Sequence, residues 1–287
     1  MHAALEQEID RYLRSGNVEM RYSAWPGEAF CDRVRYGEKA LRAALIEAVR
    51  CRRPRRRRGT VPSEQSGAAF VRTKLAPMVQ GLFPRHEQAL VLDVLCGSIV
   101  FVTPTTIEGV LERVSSLNTA WKLANLYLAS IDAALLADDA PRIVGLSEET
   151  TCYVSGEYFR EAGRFDDYLV HEAAHVFHNC KRETIGLRQT RVKEWLLEID
   201  YARRETFAYA CETYGRILEI GSGLRARQQL LADYARGPMP ADDRVETGEY
   251  LDILGEAICA RNGWKSILAR CAAPRPMRPH ITGHGAW

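Results

Sequence analysis

Asp166-Asp167-Tyr168-Leu169-Val170-His171-Glu172-Ala173-Ala174-His175-Val176-Phe177-His178 is the stretch that decides the fold, because it carries an HExxH pattern within a sequence of helical periodicity. At about 100° per residue, His171 and His175 fall within about 40° of each other on a helix. The apolar residues collect on a separate face that suits packing, namely Val170, Ala173, Ala174 and Phe177. The pattern therefore predicts a helix that buries one side in a core and presents two imidazoles on the next.

The two imidazoles of this helix suit a metal ion. Neutral imidazole nitrogens one helical turn apart match the tetrahedral coordination of Zn2+, and they leave positions for a third protein ligand and a water. Glu172 follows the first histidine and is placed to take a proton from that water when it attacks a carbonyl. The pattern thus predicts two metal ligands, His171 and His175, and a general base. The alternative is a core helix whose histidines are only hydrogen-bonded.

A third ligand is expected from the helical pattern that follows, which we predict to run from residue 193 to residue 220. Acidic residues recur along it, most of them on nearly one face: Glu194, Glu198, Glu205, Glu212 and Glu219. A glutamate on one helix reaches a metal on another only where the backbones approach closely, and small neighbours favour such an approach. Glu205 has Ala202 and Ala208 three residues before and after it, whereas Glu198 and Glu212 have aromatic neighbours. We therefore expect Glu205 as the third ligand, with Glu212 as the alternative.

These residues resemble a known family. His171-Glu172-Ala173-Ala174-His175, followed by Glu205-Thr206-Phe207-Ala208-Tyr209-Ala210, is similar to the gluzincin metallopeptidases, and most similar to the ImmA/IrrE type among them. The resemblance covers about residues 140–220. Phe207 departs from the pattern, because that family usually has asparagine at this position.

The resemblance implies a fold and a set of roles. Zinc would be held by His171, His175 and Glu205, with Glu172 as the general base. The implied fold is a zincin-like core, in which a small sheet packs with the HExxH helix and the glutamate-bearing helix. Its activity would be hydrolysis of peptide bonds in an intracellular protein or peptide substrate.

The oxyanion formed during such a hydrolysis requires a donor. Tyr209 lies on the same helical face as Glu205 and is the first candidate for this second catalytic role. Weaker candidates are Tyr201, Tyr214, His178 and Arg188. His178 lies one turn beyond His175, and we expect it to cap the helix end or to contact a ligand from outside.

The eight cysteines are scattered and contain no CxxC pair, so they predict neither a disulfide framework nor a cysteine-rich zinc site. Most are expected to be buried as small apolar residues. Cys152 and Cys180 flank the HExxH helix in sequence. A thiolate from either one near the zinc would displace the catalytic water until it is oxidised, which gives the hypothesis of a redox switch.

The remaining patterns predict an α+β protein that is predominantly helical, with additional N- and C-terminal helices around the metal core. Helices are predicted at 3–14, 33–52, 69–82, 104–114, 118–136, 224–235, 248–260 and 263–271, and strands at 98–103, 142–146 and 151–155. The run 90–95 fits either type, and Pro77 is expected to kink or interrupt its helix. We expect an N-terminal segment (1–60) ending in an arginine-rich loop, a core (68–272) and an extended tail (273–287).

Composition limits the partners. The formal net charge is only +2, so nucleic-acid binding has no global electrostatic basis. A local basic cluster from Arg50 to Arg58 would suit phosphates, but it lacks aromatic residues, and a solvated loop is the favoured interpretation. The first residues include acids and no run reaches the roughly 18 apolar residues of a membrane span, so we expect a cytoplasmic protein without membrane contact.

Three hypotheses for the function follow. The first is a zinc metallopeptidase whose two strands before the HExxH helix hold an extended peptide by main-chain hydrogen bonds. The second is a catalytically silent zinc-binding sensor or interaction protein. The third is a nucleic-acid-associated protein that uses the cluster from Arg50 to Arg58. The sequence leaves the oligomeric state open.

Overall fold

The structure, a computed structural model, describes residues 2–54, 64–140, 143, 145–148, 150–155, 163–190 and 193–273, with 64–67, 147 and 148 described by their backbone alone. It confirms an α+β protein in which helix predominates and the sheet is small. Predictions for residues 55–58, for 142 and 144 and for the tail from 274 onwards lie outside the described residues.

Helices precede and follow the sheet along the chain. They are α1 (His2–Ser15), α2 (Phe30–Arg52), α3 (Glu64–Leu82), α4 (Arg85–Ser98), α5 (Ile107–Arg113), α6 (Leu117–Ser130), α7 (Tyr168–Asn179), α8 (Arg204–Ile220), α9 (Leu224–Tyr234), α10 (Thr247–Cys259) and α11 (Gly263–Cys271). The helices predicted at both ends of the chain are confirmed with shifts at their ends, and the undecided run 90–95 is helical. Pro77 lies inside α3, which it does not interrupt.

The described strands form a three-stranded sheet in the order β1 (Ile99–Val102), β3 (Thr151–Ser155), β2 (Gly145–Glu148). β3 runs parallel to β1 and antiparallel to β2. The strands predicted at 98–103 and 151–155 are confirmed. The strand predicted at 142–146 is found as β2, which begins at Gly145 and continues past the predicted end.

The sheet lies between two hydrophobic clusters, and alternate residues of its central strand face opposite clusters. Cys152 and Val154 pack with α3, α4, α7, α8, α10 and α11. Tyr153 packs in the other direction, with α1, α2, α5 and α6. The central strand is therefore buried on both faces, and the HExxH helix α7 packs on one of them.

Helix α7 begins at a cap that the sequence supplies. The carboxylate of Asp167 accepts a hydrogen bond from the Val170 N–H at 3.3 Å, which satisfies a backbone donor that the helix leaves open. At the other end, the N–H of Cys180 donates to the Val176 carbonyl at 2.9 Å. The apolar face is buried as the sequence predicts, and small residues on α7 and α8 let the two helices approach closely, among them Ala173, Ala174 and Ala208.

The prediction of one helix over 193–220 is wrong for its first part. Helix α8 begins only at Arg204, after a short 3-10 turn. Backbone donors in the preceding segment are taken by other partners: the Glu198 carboxylate accepts from the N–H groups of Glu194 and Trp195 at 2.6 and 2.9 Å. The N–H of Leu196 donates to the Cys180 carbonyl at 2.9 Å. These tertiary hydrogen bonds replace the helical ones.

Two other predicted helices are shorter than expected. The helix predicted at 118–136 ends at Ser130, because Asp132 has a positive φ of 54° and the Asn125 side chain accepts from the N–H of Leu136 at 2.8 Å. The helix predicted from 104 begins at Ile107, since Thr103 instead accepts hydrogen bonds within a turn. No described helix is long and apolar enough to cross a membrane.

Two glycines near helix ends give a matched test of packing between α3 and α11. A Cβ on Gly81 would lie 2.2 Å from a ring carbon of buried Trp264, whereas a Cβ on Gly97 would meet nothing within 4 Å. We expect Gly81→Ala to lower the free energy of unfolding by about 1–3 kcal/mol because the core is overpacked. Gly97→Ala is expected to raise it by up to about 1 kcal/mol through helix propensity. Urea denaturation of both variants measures this difference, and equal effects would contradict the packing.

Candidate metal centre

Three side chains from two helices bring donor atoms to one point. His171 and His175 on α7 place their Nε2 atoms 3.2 Å apart. Glu205, on the first turn of α8, places Oε2 3.7 Å from His171 Nε2 and 3.5 Å from His175 Nε2. Two donors bound to one tetrahedral zinc at about 2.1 Å lie about 3.4 Å apart. The three predicted ligands therefore have the spacing of a metal site. Among the described residues, their donor atoms all lie within 4.8 Å of one another.

Glu212, the alternative third ligand, contacts His171 from outside this group. Its Oε2 lies 3.1 Å from His171 Nδ1, and its Oε1 accepts from the backbone N–H of Asp167 at 2.6 Å. A carboxylate accepts hydrogen bonds, so Nδ1 of His171 carries the proton and Nε2 presents a lone pair. Glu212 thus orients a candidate ligand and is not one of the three donors.

His175 is oriented by a chain of polar groups at the end of α7. Its Nδ1 lies 3.0 Å from His178 Nε2, and His178 Nδ1 lies 3.1 Å from Asn179 Oδ1. With the Asn179 oxygen as acceptor, His178 donates from Nδ1 and accepts from the Nδ1–H of His175. Burial, followed by the charges of His175 and Arg204, lowers the pKa of His178 to about 4, which keeps this ring neutral. The Nε2 lone pair of His175 then also faces the centre.

Lone pairs that converge with a carboxylate attract a cation. Burial alone would lower the pKa of His171, but the Glu205 and Glu212 carboxylates outweigh burial and raise this pKa to about 10. Burial alone would raise the pKa of Glu205, yet His171 and His175 hold it well below its usual range. Without a metal, a proton is therefore bound among the three donors, in the position where a metal cation would bind.

Two cationic side chains, Lys74 and Arg244, hold the acidic side chains of the centre. Lys74 Nζ lies 2.6 Å from Asp167 Oδ2, a buried carboxylate at the start of α7. On the other side, an Arg244 Nη atom lies 3.2 Å from Glu205 Oε1 and 2.6 Å from Asp242 Oδ2. Arg244 therefore engages one oxygen of Glu205 while the other oxygen faces the two histidines.

Glu172 is buried beside the edge strand. A Cβ on Gly145 of β2 would lie 3.0 Å from Glu172 Oε1, so a larger residue at this position would displace the carboxylate. The backbone carbonyl of Glu172 accepts from the Cys152 thiol of β3 at 3.2 Å. The sheet thereby fixes both the backbone and the side chain of the predicted general base.

Tyr209 lies at the centre, and its ring packs edge-on against His171 with 4.5 Å between ring centroids. Burial, followed by the charge of Glu212, raises the pKa of Tyr209 to about 12, so its hydroxyl keeps the proton. Of the weaker donor candidates, Tyr201 is 82% exposed and Tyr214 packs on Trp264, while His178 is engaged with His175.

The two cysteines of the switch hypothesis are buried, and neither joins the metal-ligand group of the described residues. Cys152 donates to the Glu172 carbonyl, and the Cys180 thiol lies 3.6 Å from the Thr184 hydroxyl. The redox switch remains a hypothesis.

Two arginines in the described part of the basic cluster, Arg50 and Arg53, form ion pairs. Arg50 lies 2.5 Å and Arg53 3.1 Å from Glu108, so carboxylate already offsets part of their charge. Arg55 to Arg58 lie outside the described residues.

Four contributors to the site were not predicted from the sequence: Lys74, Gly145, Asp242 and Arg244. The role of Asp167 as the cap of α7 was also missed, although an acidic residue just before the periodic stretch is a helix-start signal that would have indicated it. No local sequence pattern indicates Lys74, Gly145, Asp242 or Arg244, because tertiary folding brings these residues to the centre.

No protein-family model, curated protein or solved structure matches this chain. The likeness to the gluzincin peptidases therefore remains a resemblance between short motifs.

The metal-free site predicts a pH-dependent stability. Because the pKa of His171 is raised from 6.5 to about 10 on folding, its ion pairs stabilise the protein fully below about pH 6.5. This stabilisation is lost as the pH rises through 10. We expect the melting temperature of the chelator-treated protein to fall from pH 6.5 to pH 10 by on the order of 5 °C more than that of His171→Gln, which cannot titrate. Parallel curves in differential scanning calorimetry would contradict this account.

Proposed function

We propose that this chain is a zinc-dependent peptidase with a zincin-like core. The observation that carries the proposal is the convergence of two imidazole lone pairs and one carboxylate oxygen at 3.2, 3.5 and 3.7 Å. Imidazole nitrogen with one carboxylate is the ligand set of catalytic zinc sites that keep a position open for water. The proposal includes the expected cytoplasmic location.

His171, His175 and Glu205 would hold the zinc ion. The ion would polarise the carbonyl of the scissile bond and lower the pKa of the attacking water. Glu172 accepts one proton from the attacking water through its carboxylate. It then passes this proton to the amide nitrogen as the carbon–nitrogen bond breaks, which leaves an amine and a new carboxylic acid, whose remaining proton passes to the amine or to solvent. An oxyanion forms after the water attacks and before the carbon–nitrogen bond breaks. The hydroxyl of Tyr209, which keeps its proton, is suited to donate a hydrogen bond to this oxyanion.

The sheet supports a peptide as the substrate. β2 pairs with β3 on one side only among the described strands, and Gly145 at its start lies against Glu172. An extended peptide that paired with the other side of β2 would lie along the site and satisfy the backbone groups of this edge. Main-chain pairing would recognise the peptide backbone, and this supports a peptide as the substrate class.

Zinc content and hydrolysis together test this function. After reconstitution, we expect about one zinc per chain in the wild type and in Glu172→Gln, and loss of zinc in His175→Ala and Glu205→Gln, which remove a ligand. Hydrolysis of fluorescence-quenched random peptide libraries is expected to fall at least about 10²-fold in Glu172→Gln, which keeps the metal but cannot take the proton.

Glu256→Gln is the matched control, since Glu256 is half exposed and pairs only with Arg270 among the described residues. It is expected to match the wild type in zinc content and in hydrolysis. A wild type that binds no zinc, or a Glu172→Gln variant that hydrolyses peptides at the wild-type rate, would exclude the proposed function.

A further inference from the structure

A cavity of about 510 Å³ opens beside the metal centre. Its wall is built from the end of α7, the segment that follows α7, the start of α8 and Thr150, the residue before β3. The residues of the wall that bear on its chemistry are Thr150, His178, Lys181, Thr184, Trp195 and Arg204. The wall thus combines an aromatic ring, hydroxyl groups and two cations.

The cavity adjoins the centre on two sides. His178 in its wall lies 3.0 Å from the Nδ1 atom of His175, and Arg204 directly precedes Glu205 in α8. Thr150 lies in the turn after β2, whose first residue, Gly145, contacts Glu172. β2 therefore leads from the general base towards the cavity, and a substrate that lies along β2 would place a neighbouring group in it.

Arg204 is the cation of this wall whose charge is not balanced. Within the ranges that the structure describes, its guanidinium forms no ion pair or hydrogen bond, and its Nε atom is buried without an acceptor. Its guanidinium carbon lies 5.2 Å from the centroid of the Tyr201 ring, which supports the side chain. A buried donor without an acceptor destabilises the protein, and a ligand that supplies the acceptor removes this cost.

Lys181, the second cation, is held in place by a partner. Its Nζ lies 2.8 Å from a Glu194 carboxylate oxygen and 5.5 Å from the centroid of the Trp195 ring. Among the described residues of the wall, Arg204 therefore carries the positive charge that no carboxylate compensates.

From these contacts we infer that the cavity binds a carboxylate group through Arg204. Together with the proposed function, on which this part rests, the inference defines the substrate class as peptides with a carboxylate close to the scissile bond. Guanidinium binds carboxylate through two parallel hydrogen bonds, and it discriminates against the neutral amide of the same shape. Such a carboxylate belongs either to an aspartate or glutamate side chain or to the C-terminus of the peptide.

Binding of small probes tests the cavity without reference to catalysis. The probes are two matched pairs, N-acetylglutamic acid α-amide with N-acetylglutaminamide, and N-acetylglycylglycine with its C-terminal amide. We expect at least one acid to bind the wild-type chain about fivefold or more tightly than its amide partner, because only the acid pairs with Arg204. NMR titration, with the indole N–H of Trp195 as the local reporter, measures the four dissociation constants.

The variants separate charge from structure. Arg204→Gln is expected to bind each acid no more tightly than its amide, and Arg204→Lys is expected to keep part of the preference for the acid. Arg236 is an exposed arginine that pairs with Asp233, and Arg236→Gln is expected to keep the full preference. Circular dichroism checks that each variant is folded. Equal binding of acids and amides by the wild type, or an acid preference that survives in Arg204→Gln, would overturn the inference.

The pair that shows the preference identifies the source of the carboxylate, whether a side chain or a chain terminus. In hydrolysis of peptide libraries, the same type of carboxylate is expected to raise kcat/KM for the wild type and to give no advantage with Arg204→Gln. Equal cleavage of acids and amides by the wild type would overturn the assigned substrate class. A carboxylate preference in binding, with no hydrolysis of any peptide, would instead refute the peptidase and leave the cavity assignment standing.

Discussion

The hydrogen bonds at the Nδ1 atoms of His171 and His175 are the constraint on which the centre depends. Glu212 fixes one ring and His178 the other, so both Nε2 lone pairs point towards the Glu205 carboxylate. Three electron-rich atoms held this closely repel one another unless a cation lies between them. The raised pKa of His171 has the same cause, because in the absence of a metal the nearby carboxylates stabilise a bound proton. The geometry is prepared for a cation before one binds.

The surrounding fold maintains this geometry through elements that are distant in sequence. Small residues let α7 and α8 approach, and the sheet beneath α7 fixes Glu172 through Gly145 and the Cys152 thiol. Lys74 from α3 balances the buried charge of Asp167, whose backbone N–H also holds Glu212. Each donor of the centre is thus supported by a second contact, which comes from another element for His171 and Glu205 and from the same helix for His175. Rigid metal sites orient their ligands in this way.

Local sequence patterns predicted the parts of this arrangement that depend on local chemistry. The spacing of His171 and His175 placed them on one helical face, and the small neighbours of Glu205 singled it out among several acids. The helix predicted from 193 failed because Glu198 and the end of α7 supply competing hydrogen-bond partners, which no periodicity records. Arg244 lies far along the chain from the HExxH stretch, so only the folded structure shows that it contacts Glu205.

The local environment of bound zinc tests the central claim most directly. X-ray absorption at the zinc edge of the reconstituted wild-type protein should show two imidazole nitrogens and light oxygen donors at about 2.0–2.2 Å, with no sulfur. This result would establish that the convergent lone pairs of His171 and His175 are a metal site completed by carboxylate and water. A zinc–sulfur distance of about 2.3 Å, or a spectrum without imidazole scattering, would contradict the account. The metal would then be bound elsewhere on the chain.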